Sequence, residues 1–249
     1  MGERRECQPQ VHTSCSGAKV ALRLLIIAIM SSSRFALSLL VFTFALGGVC
    51  QADQNDNSAS AIVREMSLAR ENPALYATFV EEHRAFYHGN LIVRPGRVAF
   101  RTNEGTRAVD EAINYLRKAS PRAPLTLSPG MSRAAADHCA GQAGGGMSHK
   151  GADGSNTADR ISRYGTWGGS WGENLACGRS GAREIVIALI IDDGVRGRKH
   201  RDNIFNPQFN YAGAAVGSHA TYRTICSMAF AGAYVEQGQP MNGALVARN

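Results

Sequence analysis

The chain has 249 residues, 44% of them hydrophobic and 19% charged, and its 27 glycines show no Gly-X-Y period. Those proportions exclude wholesale disorder and collagen, and the length suits one domain of about 150–200 residues plus an extension. The net charge is +7, yet the basic residues are scattered and no base-reading motif or aromatic stacking platform accompanies them, so no nucleic-acid partner is expected.

Residues 1–52 read as a leader that carries +3 of that charge. The uncharged run Phe35–Val49 follows Arg34 and a serine cluster, and Cys50-Gln51-Ala52 and a polar stretch come after it. A basic start, an apolar core of ~7–15 residues and a small residue at the cut describe a secretory signal peptide. Cleavage is expected near Ala52, and a start at Met30 would give the signal an ordinary length. Three other readings compete. Leu24–Val49 is long enough to stay as a membrane anchor, Cys50 could be acylated although Val49 suits that poorly, and the run could be a buried helix. The expected location is periplasmic or extracellular, with membrane contact only through an uncleaved leader. Cys139, Cys177 and Cys226 remain after the cut, and export permits one disulfide. Cys177–Cys226 is the preferred pair, since both fall in or beside expected strands.

Along the mature chain, helices are expected at Ala61–Arg70 and Leu75–Tyr87, separated by Asn72-Pro73. His88–Gly105 is glycine- and proline-punctuated and reads as a loop or hairpin. Thr106–Lys118 places Ala108, Val109, Ala112, Ile113 and Leu116 at helical spacing. Ser128-Pro129 is a helix start, and the glycine triplet 144–146 is its stop. Met147–Thr157 is a polar loop, Ala158–Tyr164 a short helix, Trp167–Gly178 a strand and Ala182–Asp192 the most apolar helix. Asn203–Phe209 reads as irregular; Tyr211–Gly217 and Tyr222–Phe230 read as a strand hairpin. This order predicts an α+β layered domain.

The chain has no Walker-type Gly-Lys-Ser/Thr, no CxxC and no HExxH. Gly168-Gly169-Ser170-Trp171-Gly172 matches the G-x-S-x-G pattern of serine hydrolases, but that elbow needs a strand before the serine and a helix after it. Here a strand is expected to follow. Cys139 lies mid-helix and reads as core. His149, Glu173 and His200 stand out instead, each at the edge of an element, where side chains converge on clefts. Two imidazoles and a carboxylate suit either divalent-metal ligation or acid–base work. Their spacing has no metal signature, and each also reads as an ordinary surface or backbone-pairing residue.

These residues lie in an ordered series. Ala135-Ala136-Asp137-His138 comes first, then Ser148-His149, Asp153-Gly154-Ser155, Asp159-Arg160-Ile161 and Gly172-Glu173-Asn174-Leu175. The series ends with His200-Arg201-Asp202-Asn203-Ile204-Phe205-Asn206-Pro207 and the strand Gly213–Gly217. From about Ala108 to Tyr234 the sequence thereby resembles the bacterial branch of the CAP superfamily, the SCP-like domains of cysteine-rich secretory proteins, antigen 5 and pathogenesis-related proteins. The resemblance implies a three-layer α-β-α sandwich with an open cleft holding two histidines and two acidic residues. His149, Glu173 and His200 fit three of those positions, and Asp193 is the candidate for the fourth. The organisation that follows is leader 1–52, helical segment and insertion 53–107, SCP-like domain 108–235 and loose tail 236–249.

The expected function is an exported, monomeric binding protein whose cleft takes a small ligand, a lipid or an envelope component. A divalent cation such as Zn2+ would be held by His149 and His200, with Glu173 and Asp193 beside it. Catalysis is not the leading expectation; the alternatives are a metal-assisted hydrolase with Glu173 as base, and an interaction module presenting Trp167 or Trp171.

Overall fold

The computed structural model describes residues 58–239. The leader, its cleavage site and the end of the tail lie outside them. The helices are α1 (Ala59–Glu71), α2 (Pro73–Arg84), α3 (Thr106–Lys118), α4 (Pro129–Gln142), α5 (Thr157–Ile161), α6 (Ala182–Ile191) and α7 (Lys199–Phe205). The strands are β1 (Tyr87–His88), β2 (Leu91–Ile92), β3 (Phe100–Arg101), β4 (Thr126–Leu127), β5 (Gly165–Cys177), β6 (Tyr211–His219) and β7 (Arg223–Glu236).

Local chemistry sets most of the helix starts. The Ser58, Asn72 and Ser128 side chains accept from the backbone amides of Ala61, Leu75 and Met131 at 3.1, 3.1 and 3.0 Å. Pro73 and Pro129 occupy first-turn positions, where a missing N–H costs nothing. Asn156 and Asp159 close a reciprocal capping box around the start of α5. Residues 203–205, the start of the stretch Asn203–Phe209 expected to be irregular, belong instead to the helix α7. Its first amides are met by a carboxylate from outside the helix, described below, so nothing local announces it.

The main sheet has the order β4-β6-β7-β5, with β4 parallel to β6 and the rest antiparallel. Strand alternation divides β7 between two cores. Cys226, Met228 and Phe230 join α1, α2, α3 and α6 on one side. Ala229 and Ala231 pack with Met131, Ala134 and Ile161 from α4 and α5 on the other, where Ile225 meets Cys139. The result is helices on both faces of one sheet, an α+β sandwich of three layers. Residues 87–101 form the small antiparallel sheet β1-β2-β3, which takes Tyr87 from the end of the expected helix Leu75–Tyr87.

Residues 58–84 share the main core instead of standing apart. Arg70 of α1, 1% exposed, donates to the carbonyls of Ala123, Ile204, Asn206 and Phe209. That single side chain ties the first helix to the approach to β4 and to the α7–β6 connection.

The preferred Cys177–Cys226 disulfide does not form. Cys177 stands opposite Ile225 and Cys226 opposite Ala176, so the two thiols point to opposite faces of the sheet. Cys139 and Cys226 are free thiols, and all three cysteines are buried. Among the described residues no helix is long and apolar enough to cross a membrane.

Candidate functional site

Glu173 and Asn174 are neighbours on β5, so their side chains leave opposite faces of the sheet. Glu173 points toward α4 and α5. Its Oε1 accepts from Arg160 Nη2 at 2.6 Å and from the Ser227 hydroxyl at 3.2 Å, and its Oε2 accepts from His149 Nδ1 at 2.9 Å. Burial alone would push this carboxyl up. The His149 hydrogen bond, the charges of His138 and Arg160 and the Arg160 hydrogen bond outweigh it, and the carboxyl lies below its ordinary value.

Arg160, on α5, has only 2% of its side chain exposed. Besides Glu173 it meets the carbonyls of Ser155 at 2.9 Å and His149 at 3.3 Å, so it braces the histidine loop from beneath. His149 sits on that loop with 55% of its side chain exposed. Its Nδ1–H is directed at Glu173, which selects the tautomer with the lone pair on Nε2. His138 completes the group from α4. Its side chain is sealed, and Nε2 lies 3.8 Å from Glu173 Oε2. Neither of its ring nitrogens makes a hydrogen bond among the described residues. Burial lowers its pKa, partly opposed by the Glu173 charge.

On the other face, Asn174 Nδ2 donates to the His200 carbonyl at 2.9 Å, and Asn203 Nδ2 donates to Asn174 Oδ1 at 2.8 Å. These bonds seat α7 on the strand. The His200 ring is held by Asp192: Nδ1 meets Oδ1 at 2.7 Å, and the His200 amide meets Oδ2 at 2.9 Å. Asp192 ends α6 in the left-handed conformation, with φ 55°, and its carboxylate thus caps the start of α7.

The structure therefore brings His149 and Glu173 together and gives His200 a different acidic partner. The Asp193 carboxylate accepts from the amides of Asn103 and Glu104 at 2.6 and 2.8 Å, and Asp193 lines a small cavity together with Asp192 and His200. The chain reversal at Asp192 decides which of the two adjacent aspartates turns toward His200. Glu104 answers by accepting from Gly194 and Arg198, and the Arg198 bonds draw its carboxyl down to about 2. His138 and Arg160 were missed as site residues. The only sequence signal was their place in the motif series, since a helical histidine and an arginine otherwise read as core and surface.

A divalent ion does not fit around Glu173. Both carboxylate oxygens already serve hydrogen bonds, and the adjacent guanidinium would repel a cation. Among the described residues no group of three or more His, Cys, Asp or Glu is placed to hold a metal. Ser170 lies inside β5, beside the register shift between Gly168 and Trp171, so no strand-to-helix elbow exists there. Trp167 donates from Nε1 to the Ser162 hydroxyl at 3.1 Å and packs on the α4–α5 core, while Trp171 is exposed.

Residues 111–230 match the profile of the cysteine-rich secretory protein family, CAP. The chain carries a CAP domain. His138, His149, Arg160, Glu173, Asp192 and His200 all fall inside it; α1, α2 and the β1–β3 sheet precede it. Among solved structures, an outer surface protein of Borrelia burgdorferi is similar at 17% identity and TM-score 0.36, over 43% of this chain and 76% of that one. An extracellular SCP-domain protein of Bacillus anthracis str. Ames is similar at 21% identity and TM-score 0.35, over 51% of this chain and 39% of that one. A cysteine-rich secretory protein of Staphylococcus aureus subsp. aureus Mu50 gives 13% identity and TM-score 0.34, over 51% and 37%. The CAP-domain chain thus spans about two fifths of the length of the latter two. No curated protein matches it.

Proposed function

We propose that the protein is an exported binding module in which His149 presents its imidazole to a small polar ligand. The observation that carries this reading is the commitment of Glu173. A buried carboxylate that already accepts from Arg160, Ser227 and His149 orients an imidazole well and serves poorly as a general base or metal ligand. His149 is the exposed end of the chain Arg160–Glu173–His149, and a tautomer-fixed Nε2 offers an acceptor to a hydroxyl or amide donor. Export rests on the apolar run Phe35–Val49 with Arg34 before it and small residues after it.

The test is a polar-fragment screen on the full chain, read by NMR at His149 Nε2. Fragments that shift Nε2 in the wild type and fail to bind His149→Ala are expected. A screen with no such fragment overturns the reading. Zinc chloride is titrated in parallel. One-to-one zinc binding lost in both His149→Ala and His200→Ala would replace hydrogen-bond recognition by metal coordination.

A further inference from the structure

A cavity of about 430 Å³ lies where the segment 92–100 meets the ends of β5 and β7 and the start of α6. Four of its lining residues are arginines, Arg94, Arg97, Arg179 and Arg223; Glu184 is the one acidic residue among them. Glu184 faces three of the four. Its oxygens lie 2.8 Å from Arg97, 3.5 Å from Arg94 and 3.9 Å from Arg179. One carboxylate matches one guanidinium fork, so the cavity holds more positive charge than its own residues neutralise.

Two of the arginines are held in place by packing. Arg179 and Arg94 lie over the Phe100 and Phe86 rings at 4.1 and 4.8 Å. Arg94 Nη2 donates to His83 Nδ1 at 2.6 Å. His83 remains a neutral acceptor, because burial and then the charges of Arg94 and Arg179 lower its pKa to about 3. Arg94 Nε is buried with no hydrogen-bond partner among the described residues, a donor left over. At the mouth, Arg97 and Arg223 are exposed. Arg223 has φ 70°, a conformation that glycine adopts without strain; the chain keeps a charged side chain there instead.

We infer that this cavity binds a multiply charged phosphate group, with Glu184 holding the arginines in its absence. Several convergent guanidinium forks suit a tetrahedral polyanion, whose oxygens accept in several directions, better than a single carboxylate. The volume leaves room for more than the anion itself. The phosphate could belong to a soluble metabolite or to a lipid headgroup. The site is separate from His149, so its failure would leave the reading of that site untouched.

Two arms distinguish the sources. Inorganic pyrophosphate is titrated into the full chain by calorimetry at low salt. Vesicles of phosphatidylcholine, alone or mixed equally with phosphatidic acid, whose phosphomonoester carries up to two charges, are tested by flotation. Saturable binding in either arm, weakened by added salt, is expected. Arg97→Ala/Arg223→Gly should weaken it about tenfold through lost charge-assisted hydrogen bonds, with the unfolding midpoint retained because both side chains are exposed. Glu184→Gln should tighten it by removing the competing carboxylate. No binding in either arm overturns the inference, as does binding that the double variant leaves unchanged.

Discussion

Arg160 Nη2 and Glu173 Oε1 meet at 2.6 Å, and both side chains are sealed from solvent. The pair joins α5 to β5, and the remaining Arg160 bonds carry that link into the histidine loop. Removing one partner leaves the other charge buried alone. Arg160→Met should therefore cost about 3–5 kcal/mol in urea unfolding. Arg160→Met/Glu173→Leu should recover part of the loss, since no lone charge remains. A single variant costing under about 1 kcal/mol, the range of a surface pair, would contradict the placement.

Acid should destabilise this chain before its carboxylates titrate in bulk. An unfolded histidine takes up a proton near pH 6.5, while buried His83 does so only near 3, and buried His138 is shifted the same way. Between those values the unfolded state binds more protons, so stability rises with pH and falls on acidification. Glu173 adds the same sign lower down: its depressed carboxyl stabilises above the unfolded carboxyl pKa and loses that contribution as pH falls through the folded value. Urea midpoints are expected to hold above pH 7 and to drop from about 6.5 downward. His83→Gln keeps an acceptor for Arg94 and should flatten the upper part of that drop. An unchanged profile would mean His83 is not buried neutral.

The legible parts of the fold were those where one segment states its own case. Thr106–Lys118 appears as α3 with its expected apolar positions all buried. Helix α7 was illegible because its sequence is polar and its capping carboxylate comes from Asp192, eight residues before His200. The site divides in the same way. His149 and Glu173 announce themselves in their motifs, and Arg160, bonded to the Glu173 carboxylate and to the His149 carbonyl, holds them together. The choice between Asp192 and Asp193 rests on one left-handed residue. Arg160 acts through burial, which composition cannot show for an arginine.

That choice between aspartates can be measured. Asp192 serves the His200 amide, the His200 ring and the Arg201 amide. Asp192→Asn suits the left-handed backbone yet loses the charge, and should cost about 1.5–3 kcal/mol as bonds to an ionised acceptor weaken. Asp193→Asn, whose carboxylate meets two amides near the surface, should cost about 1 kcal/mol or less. NMR of the His200 ring should show its Nδ1 environment altered by the first substitution alone. Equal effects of the two would undo the assignment.

The position of His138 depends on a glycine in the neighbouring strand. A Cβ at Gly213 of β6 would stand 2.3 Å from the Met131 carbonyl carbon and 2.3 Å from the Ser132 amide nitrogen. Both are backbone atoms of α4, so no side-chain rotation relieves the clash and the helix itself must move. Overpacking of this kind typically costs about 1–3 kcal/mol, and a backbone collision belongs at the upper end. Gly213→Ala should lower the urea midpoint accordingly. Because α4 carries His138, the same shift should alter the His138 ring resonances while leaving those of His200, held by Asp192 on the opposite side of the sheet, in place. Movement of both rings together would mean that the sheet, and not α4, yields to the added methyl group.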